Sequence, residues 1–104
     1  MNDLLEKLQL IYERWLQIGE DITKPDAMSD MKKFIKLSKD YKDLQAVVDA
    51  YKQYKDVIGN IANAKEIVAN EKDEEFRDMA KMELDAFLET KEKLEEDIRL
   101  LLLP

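Results

Sequence analysis

The stretch SDMKKFIKLSKDYKDLQAVVDAYKQYKDVIGNIANAKEIVAN, residues 29–70, decides the fold of this chain. It contains no proline, and Gly59 is its only glycine. Its apolar residues recur at steps of mostly three and four, the heptad pattern of a helix that packs along a narrow seam. The seam comprises Phe34, Leu37, Tyr41, Leu44, Val48, Tyr51, Tyr54 or Lys55, Ile58, Ile61, Ala64 or Lys65, and Val68.

This pattern predicts one long helix that cannot bury its seam by folding on itself. At 1.5 Å per residue the helix would be about 60 Å long, so the flanking chain must supply partner helices. Val47 and Val48 are adjacent and both are poor helix formers, so a bend at this point is an alternative to a straight helix. The unbroken heptad pattern favours a continuous helix there and across Gly59.

The chain before and after this stretch contains two further amphipathic helices. The first begins at Asn2 or Asp3 and ends before Pro25, because the residue before a proline is pushed out of the helical region. The last begins after Asp73, a good N-cap. Lys91 is the one charged residue of its seam, which comprises Phe76, Ala80, Leu84, Phe87, Lys91, Leu94, Ile98 and Leu101. Trp15, the only tryptophan, lies on the first seam, so we interpret it as a core residue rather than a partner anchor.

The turn between the second and third helices is short, which makes them antiparallel neighbours. We therefore predict an all-α fold, an elongated antiparallel helical hairpin or coiled coil with an additional N-terminal helix packed on it. The prediction is a single domain over residues 1–104, with helices at about residues 3–22, 29–70 and 73–103. Where the first helix docks is not determined by the pattern.

Composition excludes several classes of function. The 104 residues carry a net charge of −7 and include neither cysteine nor histidine. Disulfides, thiolate or imidazole metal sites and serine–histidine catalysis are therefore excluded. The densest carboxylate runs, Glu20-Asp21, Glu74-Glu75 and Glu95-Glu96-Asp97, are typical of solvated helix faces. We predict no catalytic, cofactor-binding or metal-binding residue, and the pattern assigns no partner-binding residue.

One part of this acidic chain is basic. Lysines stand at positions 32, 33, 36, 39 and 42, and tyrosines and lysines are interleaved from Lys39 to Lys55. Aromatic and basic residues together are a feature of RNA contact. A helical seam with a solvated charged face produces the same pattern, and we favour that interpretation. If any surface meets phosphate, the lysine run is the first place to look.

Three stretches, in order, resemble the N-terminal helical domain of bacterial class I peptide chain release factors, especially the type that reads UAA and UAG. They are FIKLSKDYKDLQAVVDAYKQYKDV at residues 34–57, EEFRDMAKMEL at 74–84 and RLLLLP at 99–104. The first helix and the Pro25-Asp26 turn also fit, so the resemblance covers nearly the whole chain.

The resemblance implies a role in translation termination, in the cytoplasm, for a domain that is not itself an enzyme. In the family this domain projects toward the factor-binding region and stalk base of the large ribosomal subunit, and it contributes to contact with the release-factor glutamine methyltransferase. The family's Gly-Gly-Gln and Pro-x-Thr motifs are missing here, since no two glycines adjoin and neither proline heads such a tripeptide. No contact residue can be carried over, and no cofactor, membrane or small-molecule substrate is expected.

The residues alone leave two other interpretations. A stand-alone helical adapter or coiled-coil protein would have the same amphipathic helices and heptad pattern. Its exposed seam would favour self-association. A small helical enzyme binding a dianion would need clustered basic residues, whereas the only arginines are Arg14, Arg77 and Arg99. Four consecutive leucines before Pro104 would leave apolar surface exposed, so we expect the natural chain to continue beyond Pro104 and cover them.

Overall fold

The computed structural model describes residues 2–104 and contains four helices in that range. They are α1 (Asp3–Ile22), α2 (Pro25–Met28), α3 (Met31–Asn70) and α4 (Glu74–Leu101). No strand is present among the described residues, so the all-α prediction is confirmed. The chain divides into two compact units, one ending at Tyr51 and the other beginning at Lys52. The prediction of a single domain over residues 1–104 stays a prediction.

Side-chain caps fix where three of the helices begin. The Asn2 side chain accepts a hydrogen bond from the Leu5 amide at 3.0 Å. The Asp73 carboxylate accepts from the amides of Glu75 and Phe76 at 2.9 and 3.4 Å. Asp30 accepts from the Lys33 amide at 3.3 Å. These bonds satisfy amides that have no partner within the helix.

The linker after α1 is more ordered than the sequence indicates. Residues 25–28 form the single helical turn α2, with Pro25 in its first turn. Ser29, the residue at which the long helix was predicted to begin, is the C-cap of α2 instead. The long helix therefore begins at Met31 rather than at residue 29.

In the first unit, α1 packs antiparallel to the part of α3 that precedes Lys52. The Trp15 and Tyr41 rings stack with centroids 4.6 Å apart and planes 18° apart. The Trp15 indole N–H also donates to the Tyr41 carbonyl at 3.1 Å. Farther along, Tyr12 lies against Tyr51, with ring centroids 5.3 Å apart, and the Tyr51 hydroxyl donates to Gln9. These contacts give the first helix a docking position that the heptad pattern left undetermined.

In the second unit, the rest of α3 and α4 form an antiparallel hairpin. The Tyr54 hydroxyl donates to Glu95 Oε2 at 2.7 Å, far from the turn. At the turn, Arg77 Nη1 lies 3.5 Å from the Glu71 carbonyl. Tyr54 and Ala64 are buried whereas Lys55 and Lys65 are exposed, which resolves both alternatives in the seam.

The two glycines make a matched pair for a stability measurement. A Cβ added at Gly19 would lie 3.0 Å from Tyr41 Cε2, whereas one added at Gly59 would meet nothing within 4 Å. We expect Gly59→Ala to raise the free energy of unfolding by about 0.5–1 kcal/mol, because alanine is the better helix former. We expect Gly19→Ala to lower it by about 1 kcal/mol, because the Tyr41 ring is stacked on Trp15 and must shift. Urea unfolding followed by circular dichroism measures both, and a stabilised Gly19→Ala variant would contradict the packing described here.

Candidate interaction surfaces

Four lysines lie on one side of α3. Lys32, Lys36, Lys39 and Lys42 are separated by four, three and three residues, which places them on one helical face. Leu37, Tyr41, Leu44 and Val48 occupy the opposite, packed face. Met31 and Ile35 lie among the lysines and are 70% and 59% exposed. We call these residues the lysine face: Met31, Lys32, Ile35, Lys36, Lys39 and Lys42.

Two lysines of this face form ion pairs, and one of the two carboxylates, Asp43, follows Lys39 by four residues and lies on the face itself. Lys36 Nζ lies 3.1 Å from Asp40, and Lys39 Nζ lies 3.6 Å from Asp43. The two lysine side chains remain 77% and 75% exposed. Exposed pairs of this spacing are weak, so both ammonium groups remain available to a stronger anion.

A separate polar cluster lies near the end of α1. Lys24 Nζ lies 3.1 Å from Asp21 Oδ1, and the Gln17 amide donates to the same oxygen at 3.0 Å. The contact with Lys24 has the largest effect on the Asp21 carboxyl, and the hydrogen bond from Gln17 has the next largest. Both hold the pKa of Asp21 below its usual value.

The tyrosines interleaved with the lysines do not form a stacking surface. Tyr41 packs against Trp15, while Tyr51 and Tyr54 are buried. An exposed ring is what a base would stack on, so this aromatic series serves the seam. The interpretation of the tyrosine–lysine pattern as a helical seam is confirmed.

A second surface lies at the turn between α3 and α4 in the second unit. A shallow groove of about 240 Å³ opens there. Phe76 is 59% exposed although the sequence places it on the α4 seam. It lies three residues after the N-cap Asp73, in the first turn of α4. The groove is lined by Ile67, Glu71, Phe76, Met79, Ala80 and Glu83.

The charged residue on the α4 seam joins a polar network. Lys91 is half-buried, and its Nζ lies 3.4 Å from Glu95 Oε2. That oxygen also accepts from the Tyr54 hydroxyl at 2.7 Å. The lysine therefore crosses the apolar seam while its ammonium group is paired, so the charge is tolerated there.

No set of three or more acidic side chains in residues 2–104 could hold a metal ion. None of the charged residues in that range is fully buried, and this includes Arg14, Arg77 and Arg99. No helix formed by residues 2–104 combines the length and apolarity that crossing a bilayer requires. Exposed side chains among the described residues include charged lysines and large apolar residues such as Met31 and Phe76.

Comparison with known proteins assigns the chain to a family. It belongs to the PCRF domain family, whose model matches residues 11–104. The resemblance to the helical domain of class I release factors is thereby confirmed.

Individual relatives are similar along nearly the whole chain. Peptide chain release factor 1 of Parabacteroides distasonis is 44% identical over 103 residues, which is 99% of this chain and 28% of that protein. The release factor 1 proteins of Cytophaga hutchinsonii and Clostridioides difficile are each 41% identical over 101 residues, 97% of this chain and 28% of each relative. The chain thus spans little more than a quarter of the length of these relatives. No solved structure matches it.

Proposed function

We propose that this chain is the helical domain with which a peptide chain release factor engages the ribosome during translation termination. The observation that carries the proposal is the similarity of nearly the whole chain to proteins named peptide chain release factor 1, at 41–44% identity. Its role is non-catalytic, because the sequence holds neither Gly-Gly-Gln nor a second glycine beside Gly19 or Gly59. The place of action is the cytoplasm.

The partners follow from the family resemblance. The domain contacts the factor-binding region at the stalk base of the large ribosomal subunit and helps to place the factor at a stop codon. It also contributes to recognition by the release-factor glutamine methyltransferase. The exposed apolar groove at the α3–α4 turn and the lysine face supply surface for such contacts.

An exchange experiment tests the proposal. This chain replaces the corresponding segment of the Parabacteroides distasonis release factor 1, and peptide release is measured on ribosomes programmed with a stop codon at limiting factor concentration. A second chimera carries an unrelated helical hairpin of the same length as the control. We expect the first chimera to keep kcat/KM within a few-fold of the natural factor, and the control to lose far more. We also expect the glutamine methyltransferase to methylate the first chimera more efficiently than the control chimera.

The chain alone is expected to release no peptide. Equal failure of the two chimeras would overturn the proposal, and so would stop-codon-dependent release by the isolated chain. Both outcomes are read in the same assay, with the natural factor as the positive control.

A further inference from the structure

We propose that the lysine face of α3 contacts the phosphate backbone of ribosomal RNA, an inference that rests on the proposed function and adds to it the surface and the chemistry of contact. The first support is charge. Residues 30–43 hold five lysines and three aspartates, a local charge of +2, while the whole chain has a net charge of −7. A local basic strip on an otherwise acidic protein directs an anionic partner to one place and repels it from the rest.

The geometry of the strip suits a row of separated anions. Lys32, Lys36, Lys39 and Lys42 follow one side of α3 over a rise of about 15 Å. A nucleic-acid strand also presents its charges at regular intervals along its axis. Lysine ammonium groups act as point charges on flexible stems and bind phosphate without a fixed orientation.

The apolar members of the face are a second support. Met31 and Ile35 are 70% and 59% exposed on the side of α3 that faces away from its packed seam. Isolated apolar residues need no explanation, but two that lie within a lysine cluster provide contact surface beside the charges. Sugar edges that accompany the phosphates are the complementary surface on an RNA strand.

The residues present also decide against other forms of recognition. The face contains no arginine, the residue best suited to bidentate contact with a carboxylate or a base edge. The neighbouring tyrosines are packed and offer no ring for stacking with a base. These features favour contact with an RNA backbone that is independent of sequence.

The test compares two variants of equal net charge. The face variant carries Lys→Gln at positions 32, 36, 39 and 42, and the control variant carries Lys→Gln at positions 55, 65, 81 and 93. All eight lysines are exposed and lie in helices. Glutamine is a comparably good helix former, and circular dichroism checks that both variants fold. The probes are purified ribosomes, a protein-free RNA duplex, and polyglutamate as an acidic competitor, at several salt concentrations.

We expect the face variant to bind ribosomes and the RNA duplex about tenfold or more weakly than the natural chain, while the control variant binds as the natural chain does. The plot of log affinity against log salt concentration should become less steep by about three, since each lost phosphate contact removes about 0.7–0.9 from the slope. Polyglutamate should compete poorly with either RNA probe for binding to the natural chain.

Two outcomes overturn the inference. One is a face variant that binds both RNA probes as tightly, and with the same salt dependence, as the natural chain. The other is a face variant that binds both RNA probes normally but no longer binds polyglutamate, which would mean that the face recognises an acidic protein. If the natural chain binds the duplex through this face but does not bind ribosomes, the proposed function fails and the ribosomal part of the inference fails with it. If the natural chain and the face variant bind ribosomes equally well, the inference alone fails.

Discussion

Tyr54→Ala is expected to destabilise the chain by about 3–5 kcal/mol, the usual range for truncating a buried aromatic residue to alanine. Tyr54 is 0% exposed and is among the largest fully buried side chains of the described residues. A domain of this size is stabilised by about 5–15 kcal/mol in total, so the substitution removes a large part of it. Urea unfolding followed by circular dichroism should show a midpoint shifted far toward lower urea.

Two variants identify the cause of that loss. Tyr54→Phe keeps the ring and removes the bond to Glu95, which remains partly exposed to water and paired with Lys91, so about 1 kcal/mol is expected. Lys55→Ala changes the exposed residue that competes with Tyr54 in the heptad pattern, and its effect should stay within about 0.5 kcal/mol. A Tyr54→Phe variant as unstable as Tyr54→Ala would mean that the hydroxyl, and not the packed ring, provides the stability.

Trp15→Ala is expected to lower the free energy of unfolding by about 2–3 kcal/mol. The indole is half-buried, stacks on Tyr41 at 4.6 Å and donates a hydrogen bond to the Tyr41 carbonyl at 3.1 Å. Its removal leaves α1 without this ring contact and this hydrogen bond to α3. The loss is smaller than for Tyr54 because part of the indole is already in contact with water.

Trp15→Phe separates the stacked ring from the hydrogen bond. Phenylalanine keeps an aromatic surface against Tyr41 but donates no hydrogen bond, so about 1 kcal/mol should be lost. If Trp15→Ala unfolds at the same urea concentration as the natural chain, Trp15 is better explained as a residue that binds a partner protein. The interpretation of Trp15 as a packing residue would then be wrong.

The heptad pattern predicted the fold class and most of the seam of α3. It could not choose between Tyr54 and Lys55, because a repeat of 3.5 residues drifts relative to a helix of 3.6 residues per turn. In the structure Tyr54 is the buried residue of the two, because its ring packs in the seam while its hydroxyl donates to Glu95. Such a choice depends on a residue 41 positions away and is not contained in a local pattern.

Other features could not be predicted for different physical reasons. The α2 turn follows Pro25 and is only four residues long, too short for any periodic signal. Phe76 has the spacing of a seam residue, but it lies in the first turn of α4 and remains exposed. Burial near a helix end depends on how far the neighbouring helix extends, which spacing alone does not determine.

The surfaces were predicted in part. The lysine run was recognised in the sequence, and a period of 3.6 places four of its five members on one face. Lys33 lies on another side, close enough to Asp21 to interact with its charge. The exposure of Met31 and Ile35 required knowledge of where α1 docks, and that position depends on the contact between Trp15 and Tyr41.

The position of the single tryptophan has a consequence for spectroscopy. Trp15 belongs to the unit that ends at Tyr51, and the unit that begins at Lys52 contains no tryptophan. Indole emission therefore reports the melting of the first unit alone, whereas far-ultraviolet dichroism reports the helices of both. Coincident curves from the two signals would mean that the units unfold as one cooperative system. Separate curves would give each unit its own melting temperature from one unlabelled sample.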